Sequence, residues 1–259
     1  MTASRARSLR RLALLVIVSF VALQLYFVAR IAVMAIVDPE STTFQRSEAW
    51  RLAFDGRAHG WHQHWSNYAS LSAHLKRAVI AAEDSGFTEH SGVEWDALEK
   101  AWERNERADQ LAEQAAQRAQ RHDAKPGAKA GVPARPPKVV GGSTITQQLA
   151  KNLFLSGERN FLRKAQELVL AWELEAILGK RRILEIYLNE VEWGEAVFGA
   201  AAAAQRYFGV GAAALGAQQA AQLAVMLPAP KRFEKRPGSP YVVGRAATIV
   251  ARMGRVDVP

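Results

Sequence analysis

The sequence contains no cysteine, and it has fewer acidic than basic residues. The absence of cysteine excludes a disulfide-stapled scaffold, a thiolate zinc site and a cysteine nucleophile. The 34 Lys and Arg against 25 Asp and Glu give a net charge of +9. This charge suits a polyanionic partner: nucleic acid, an acidic membrane surface or a phosphate-bearing substrate. With 259 residues, 49% of them hydrophobic, the chain can form one domain plus a small extra segment.

Charge is absent between Leu12 and Ala29. This run approaches the length that crosses a bilayer, and it exceeds the apolar core of a cleaved signal peptide, which is the alternative interpretation. We predict a basic cytoplasmic tail over residues 1–11 and a transmembrane anchor over residues 12–37, with all later residues outside the cytoplasm. An exported domain argues against nucleic acid as the partner. The basic residues that favour this orientation are Arg5, Arg7, Arg10 and Arg11.

Beyond the anchor, the sequence indicates a mainly α domain, because no run of alternating strand residues is found. Residues 38–69 are a membrane-proximal region rich in tryptophan, which either packs as core or interface or forms a lip that contacts substrate. Residues 70–259 are predicted to be the domain, with a flexible surface insertion over 103–138. Helices are predicted from Leu71 towards Gly86, from Val93 into the insertion, from Thr144 through Phe154, and over Asn160–Leu178, Arg181–Leu188, Ala200–Tyr207, Ala217–Leu227 and Tyr241–Met253.

Two adjacent carboxylates, Glu83 and Asp84, follow the first apolar helix of the domain. Anions at a helix C-terminus oppose the helix dipole, so their position is unusual. An apolar wall and a neighbouring like charge raise the pKa of a carboxyl group, which suits a general base or acid. The alternative is a capped, solvated helix end.

A cluster of hydroxyl and amide side chains occupies the predicted start of a later helix. Thr144 and Gln147 have capping-box spacing, which by itself explains two of the polar residues. Hydroxyls and amides at a helix N-terminus also hold anions or sugar hydroxyls. The cluster comprises Ser143, Thr144, Thr146, Gln147, Gln148, Lys151 and Asn152.

A third cluster combines cations with a carboxylate on the next helix. Arg163 and Lys164 lie four and three residues before Glu167, so all three can share one helix face. They form either a surface salt bridge or a cationic grip on a phosphate. A fourth stretch, with Glu185 and Asn189 one turn apart, is interpreted as structural.

These four stretches, in this order, resemble the peptidoglycan glycosyltransferases of glycosyltransferase family 51. The shared patterns are E-D-x-x-F-x-x-H-x-G at 83–92, G-x-S-T-I-T-Q-Q at 141–148, R-K-x-x-E at 163–167 and I-L-E-x-Y-L-N at 183–189. The resemblance covers about residues 70–235. The single anchor and the absence of S-x-x-K, S-D-N and K-T-G match the monofunctional biosynthetic transglycosylases. The insertion over 103–138 is longer than the family pattern leads us to expect.

The resemblance implies a lysozyme-like glycosyltransferase domain that polymerises lipid II into β-1,4 glycan strands, with inversion at the anomeric carbon and release of undecaprenyl pyrophosphate. It implies Glu83 and Glu167 as catalytic residues, with no dedicated metal ligands. A divalent cation, Mg²⁺ or Mn²⁺, is possible, and no organic cofactor is expected. The residues implied to bind substrate are Asp84, Phe87, His90, Ser143, Thr144, Thr146, Gln147, Gln148, Lys151, Asn152, Arg159, Arg163 and Lys164.

The expected setting is the cell inner membrane, with one span and a periplasmic catalytic domain engaged in cell wall biogenesis. The expected partners are lipid II, the growing glycan strand, the bilayer and other cell-wall synthesis proteins, but no nucleic acid. Two alternatives stay open at this point. One is a membrane-anchored, lysozyme-like hydrolase, which needs paired carboxylates but no cations for a pyrophosphate. The other is a non-catalytic membrane scaffold.

Overall fold

The structure is a computed structural model that describes residues 3–56, 60–96, 99–100, 103–104, 106–108, 110–114, 142–158 and 160–259. These residues divide into two compact units, Met1–Val93 with Thr144–Pro259, and Glu94–Ser143. The second unit is helical at its described positions 95–96, 99–100, 103–104, 106–108 and 110–114, in agreement with the helix predicted from Val93. Residues 115–141, most of the predicted insertion, lie outside the described residues.

The first helix, α1 (Ala3–Met34), contains the apolar run found in the sequence. Its segment Arg7–Met34 is long and apolar enough to cross a membrane. The helix does not stop at Arg30, where charge interrupts the run, but continues for another turn. Within that turn Ile31 and Met34 are buried against the domain, so the end of the helix belongs to the core.

Helix α2 (Thr43–Phe54) begins with a capping box between Thr42 and Gln45. A three-stranded sheet follows in the order β1-β3-β2, with β1 (His62–Gln63) parallel to β3 (Val197–Phe198) and β2 (Glu192–Gly194) antiparallel to it. The sequence did not predict these strands. Segments of two or three residues are too short to show the alternation that identifies a strand.

The remaining helices follow the predicted pattern closely. The prediction of separate helices before and after Gly179 corresponds to one long helix with a break, because Gly179 adopts φ 69° and ψ 162° inside it. Their bounds are α3 (Ala73–Glu83), α4 (Ile145–Phe154), α5 (Phe161–Glu190), α6 (Ala200–Phe208), α7 (Ala217–Met226), α8 (Pro230–Phe233) and α9 (Pro240–Met253).

The core forms where α3 packs against α7 and α9, and where α4 packs along α5. Helix α5 also contacts α1, which joins the apolar N-terminal helix to the domain. Large side chains without solvent exposure fill the centre of this packing. They include Leu75, Ile80, Phe87, Leu149, Leu174, Tyr187 and Trp193. The C-terminal end of α3 is thereby fixed beside α4 and α5.

Candidate active site

Glu83 is the last residue of α3, and its side chain is only half-buried. Its Oε2 accepts a hydrogen bond of 2.9 Å from Gln148 Nε2 on α4. The Oε1 of Gln148 in turn accepts one of 2.9 Å from the buried hydroxyl of Tyr187 on α5. Burial raises the pKa of Glu83, and the neighbouring Asp84 carboxylate raises it further, against the lowering effects of Gln148 and Lys151. A held carboxylate with a raised pKa is suited to accept a proton.

Asp84, although adjacent, is turned into the protein and is almost fully buried. Its Oδ1 pairs with His90 Nε2 at 2.8 Å, and its Oδ2 accepts a bond of 3.0 Å from the backbone N–H of Ile145. His90 Nδ1 accepts from the backbone N–H of Gly92 at 3.1 Å, so both of its ring nitrogens are engaged. Phe87 packs edge-on against His90 and has no exposure. Asp84, Phe87 and His90 therefore order the loop after Glu83 and the start of α4.

The hydroxyl and amide cluster divides into a buried part and a part open to solvent. Thr144 and Gln147 form the predicted capping box, and the hydroxyl of Thr144 also donates to the carbonyl of Gly92 at 2.6 Å. Thr146 donates to Glu175 Oε1 at 2.6 Å. All three are buried and bonded within the protein, so they fix α4 rather than face a ligand. The members that retain exposure are Ser143, Gln148, Lys151 and Asn152.

The third cluster is an ion-pair network at the beginning of α5. Glu167 is 3% exposed, and its two oxygens bind Arg163 Nη1 at 2.9 Å and Lys164 Nζ. A buried carboxylate paired with two cations holds both of them in place. The predicted i,i+3 and i,i+4 arrangement is therefore present. Arg159, which was grouped with these cations, lies outside the described residues.

The charge of Lys151 interacts both with the carboxyl group of Glu83 and with the ion-pair network around Glu167. Lys151 is solvent-exposed, yet the surrounding protein partly desolvates its ammonium and thereby lowers its pKa. Its charge interacts favourably with Glu167 and Glu83 and unfavourably with Arg163 and Lys164. The site thus combines a carboxyl group suited to accept a proton with several cations.

Some functional contacts were missed by the sequence. The apolar spacing around Tyr187 is typical of core residues, although its hydroxyl orients the amide that binds Glu83. Glu175, which binds Thr146 and Lys180, belongs to none of the sequence motifs, because its partners lie on separate turns and elements. Glu185 and Asn189 are structural, as interpreted: Glu185 Oε1 accepts from the N–H of Tyr68, and the Asn189 amide bonds the backbone of Ser66.

Known proteins resemble this chain over most of its length. The model of the transglycosylase family matches residues 53–116 and 130–254. A biosynthetic peptidoglycan transglycosylase of Burkholderia thailandensis is 47% identical over 241 residues, which cover 93% of this chain and 84% of that protein. One of Paraburkholderia xenovorans is 44% identical over 244 residues, covering 94% and 90%. Both the family model and these relatives extend over most of the chain, which therefore belongs to the transglycosylase family, whose domain is lysozyme-like.

Proposed function

We propose that this protein is a peptidoglycan glycosyltransferase that polymerises lipid II into β-1,4 glycan strands for cell wall synthesis. The family and the names of its relatives support the class of enzyme. The observation that carries the proposal is the position of Lys151, whose charge interacts with both Glu83 and the Glu167 cluster. A proton acceptor and a phosphate-binding group are thereby joined in one site.

In the proposed reaction, Glu83 acts on the acceptor sugar. Its carboxylate takes the proton from the 4-hydroxyl of the acceptor sugar while that oxygen attacks the anomeric carbon of the donor. The new C–O bond forms as the bond to the lipid pyrophosphate breaks on the opposite face, so the configuration inverts. Gln148 holds the carboxylate in one orientation, and Tyr187 holds Gln148.

The cations of the site act on the leaving group. Negative charge develops on the pyrophosphate as it departs, and preorganised cations stabilise that charge. Arg163 offers a planar fork that matches phosphate oxygens, and Lys151 offers a compact ammonium. Because both oxygens of Glu167 already bind cations, this residue orders them and does not deliver a proton.

Asp84 and His90 are residue types that bind metal ions, and their ligand atoms lie close together. They do not fit a metal site as they stand, because His90 uses Nε2 for Asp84 and Nδ1 for the N–H of Gly92. No ring lone pair is left for an ion. The expected Mg²⁺ or Mn²⁺ therefore concerns the pyrophosphate of the substrate, and no step above depends on it.

The proposed setting is the inner membrane, with α1 as a single span and the catalytic domain in the periplasm. The basic residues before the apolar run support this orientation. On the membrane-proximal helix α2, Trp50 and Phe54 stack and are both largely exposed, which supports contact of this region with the bilayer. The cysteine-free chain allows a direct test: a membrane-impermeant maleimide applied to intact spheroplasts should label Ser47→Cys and spare Ser8→Cys.

The decisive experiment is polymerisation of labelled lipid II by the detergent-purified protein. Wild type should produce long glycan, and Glu83→Gln should produce none. Glu89→Gln is the matched control, because Glu89 lies exposed in the loop after Glu83 and loses the same charge. Glycan from both wild type and Glu83→Gln would keep the function and move the base elsewhere. Shortening of preformed glycan would identify a hydrolase, and no turnover of either substrate would leave a scaffold.

A further inference from the structure

Gln24 is the only amide side chain in the apolar run Leu12–Ala29. It is half-buried and forms a reciprocal pair with Gln166 on α5. Gln24 Nε2 donates to Gln166 Oε1 at 3.2 Å, and Gln166 Nε2 donates to Gln24 Oε1 at 3.0 Å. In hydrocarbon an unpaired amide is costly, so each of these two side chains depends on the other.

A second contact shows how the two helices run. Arg182, further along α5, donates from Nε to the carbonyl of Met34 at 2.8 Å and from Nη2 to the Asp38 carboxylate at 2.7 Å. The contacts follow the same order along both helices, so α5 runs beside α1 in the same direction. The first residues of α5 therefore lie beside the part of α1 that is farther from Met34, which is the part deeper in the membrane. Gln24 lies ten residues before Met34, which is about 15 Å of helix.

The first residues of α5 expose apolar side chains, as expected for a segment that lies within the bilayer. Phe161 and Leu162, its first two residues, are 95% and 85% exposed. Nearer the domain surface, Phe27 packs edge-on against Phe154 at 5.3 Å, and Arg30 lies over the same ring. Apolar side chains thus point outward on α5 where α1 is apolar, while Arg163 and Lys164 turn inward to Glu167.

We infer that the Gln24–Gln166 pair positions the phosphate-binding cations at the level of the outer leaflet where the pyrophosphate of a lipid-linked substrate lies. This inference rests on the proposed function. Gln166 directly precedes Glu167, which holds Arg163 and Lys164, so a shift of Gln166 displaces all three charges. Displacement of a catalytic group by about 1 Å can lower a rate by about 100-fold. Gln24 and Gln166 are positioning residues and touch no reacting atom.

The test compares Gln24→Leu, Gln166→Leu and the double variant in proteoliposomes with lipid II. Ser19→Leu is the matched control, since it makes the same polar-to-leucine change on an exposed position of α1. We expect each single variant and the double variant to lose about 10-fold in kcat. Ser19→Leu should keep wild-type turnover. With a short-chain lipid II analogue in detergent, where depth no longer matters, all variants should come within about twofold of wild type.

Gln24→Asn keeps an amide but shortens its reach, and it should fall between wild type and Gln24→Leu. Wild-type turnover by the single variants in proteoliposomes would overturn the inference. Recovery in the double variant would also overturn it, because apolar packing would then suffice and only an orphaned amide would have been harmful. An equal loss with both substrates would also overturn the inference, because the pair would then support the fold and not the depth of the cations in the bilayer. Failure of wild type with either substrate would instead reject the proposed function.

Discussion

At the scale of single residues, the hydrogen bond from Gln148 affects the pKa of Glu83, the proposed base. Gln148 lowers the pKa of Glu83, against the larger effect of burial that raises it. The base must be deprotonated, so activity falls as the pH drops through this raised pKa. Gln148→Leu removes the bond and should move the acid limb of the kcat/KM profile to higher pH. The pH dependence of lipid II polymerisation measures this shift.

Tyr187→Phe provides the graded comparison for that prediction. It removes only the hydrogen bond from the Tyr187 hydroxyl to Gln148 and leaves the hydrogen bond from Gln148 to Glu83 in place. Its acid limb should therefore move less than that of Gln148→Leu. Identical acid limbs in all three proteins would mean that the group controlling the rate is not Glu83.

For Lys151, the proposed role in catalysis and a role in stability predict different outcomes. Its ammonium is partly desolvated, and its pKa is lowered by that desolvation. Removal of a charge that the fold disfavours does not destabilise the protein, whereas loss of a preorganised cation costs about 100- to 1,000-fold in turnover. We expect Lys151→Met to lose activity by that factor while its Tm stays level or rises.

The control for this prediction is Lys235→Met, which replaces a lysine that is exposed away from the cation cluster. It should change neither turnover nor Tm. A substantial fall in the Tm of Lys151→Met would show that Lys151 supports the fold, and the loss of activity could then not be assigned to catalysis alone.

At the scale of elements, Gly92 is the point where the loop after Glu83 meets α5. Its φ is +86°, and an added Cβ would lie 3.0 Å from Glu175 Cγ and 3.2 Å from the carbonyl oxygen of Ala171. Gly92 also accepts from Thr144 and donates to His90. Gly92→Ala should destabilise the protein by about 1–3 kcal/mol, through strain and contact together, as measured by thermal unfolding.

Gly209, the C-cap of α6, separates these two effects. Its φ is +65°, but no atom lies within 4 Å of an added Cβ. Gly209→Ala should therefore show the backbone strain alone, about 1 kcal/mol. Equal losses at the two glycines would mean that close packing around Gly92 contributes nothing, and that its loop is free to move.

The helices could be predicted because each carries local signals. The capping-box spacing of Thr144 and Gln147 indicates the start of α4. Gly179 indicates the break in α5, because glycine permits the positive φ found there. The strands could not be predicted, because segments of two or three residues are too short to show an alternating pattern. For β1 the partner is also remote in sequence, since His62 pairs with Val197.

At the scale of the whole molecule, the motifs could be predicted from the sequence, but the contacts of their side chains could not. The resemblance assigns thirteen side chains to substrate binding, and of these Asp84, Thr144 and Thr146 point into the protein and bind other elements. The partnership of Gln24 with Gln166 was equally hidden, since it links residues that are remote in sequence. Spacing along a helix identifies which residues share a face, whereas burial depends on what packs against that face.

The fold as a whole should be more stable in mild acid than in mild base because of two buried carboxyl groups. Burial raises the pKa of Glu190 to about 7, and burial likewise raises that of Glu192 to about 7, against the lowering effect of Lys231. Below about pH 4.5 both groups are protonated in the folded and unfolded chains, so neither affects stability. Between that pH and about 7, the unfolded chain loses its protons first, and stability falls by on the order of 3 kcal/mol per group.

Glu190→Gln tests this account, because Glu190 is 1% exposed and the amide never ionises. The Tm of this variant should match wild type at pH 5 and exceed it at pH 8, since only wild type must then bury a charge. Glu40→Gln, an exposed replacement of the same kind, should follow wild type at both pH values. A constant difference between Glu190→Gln and wild type from pH 5 to pH 8 would show that Glu190 does not titrate in this range. The loss of stability in base would then have to come from Glu192.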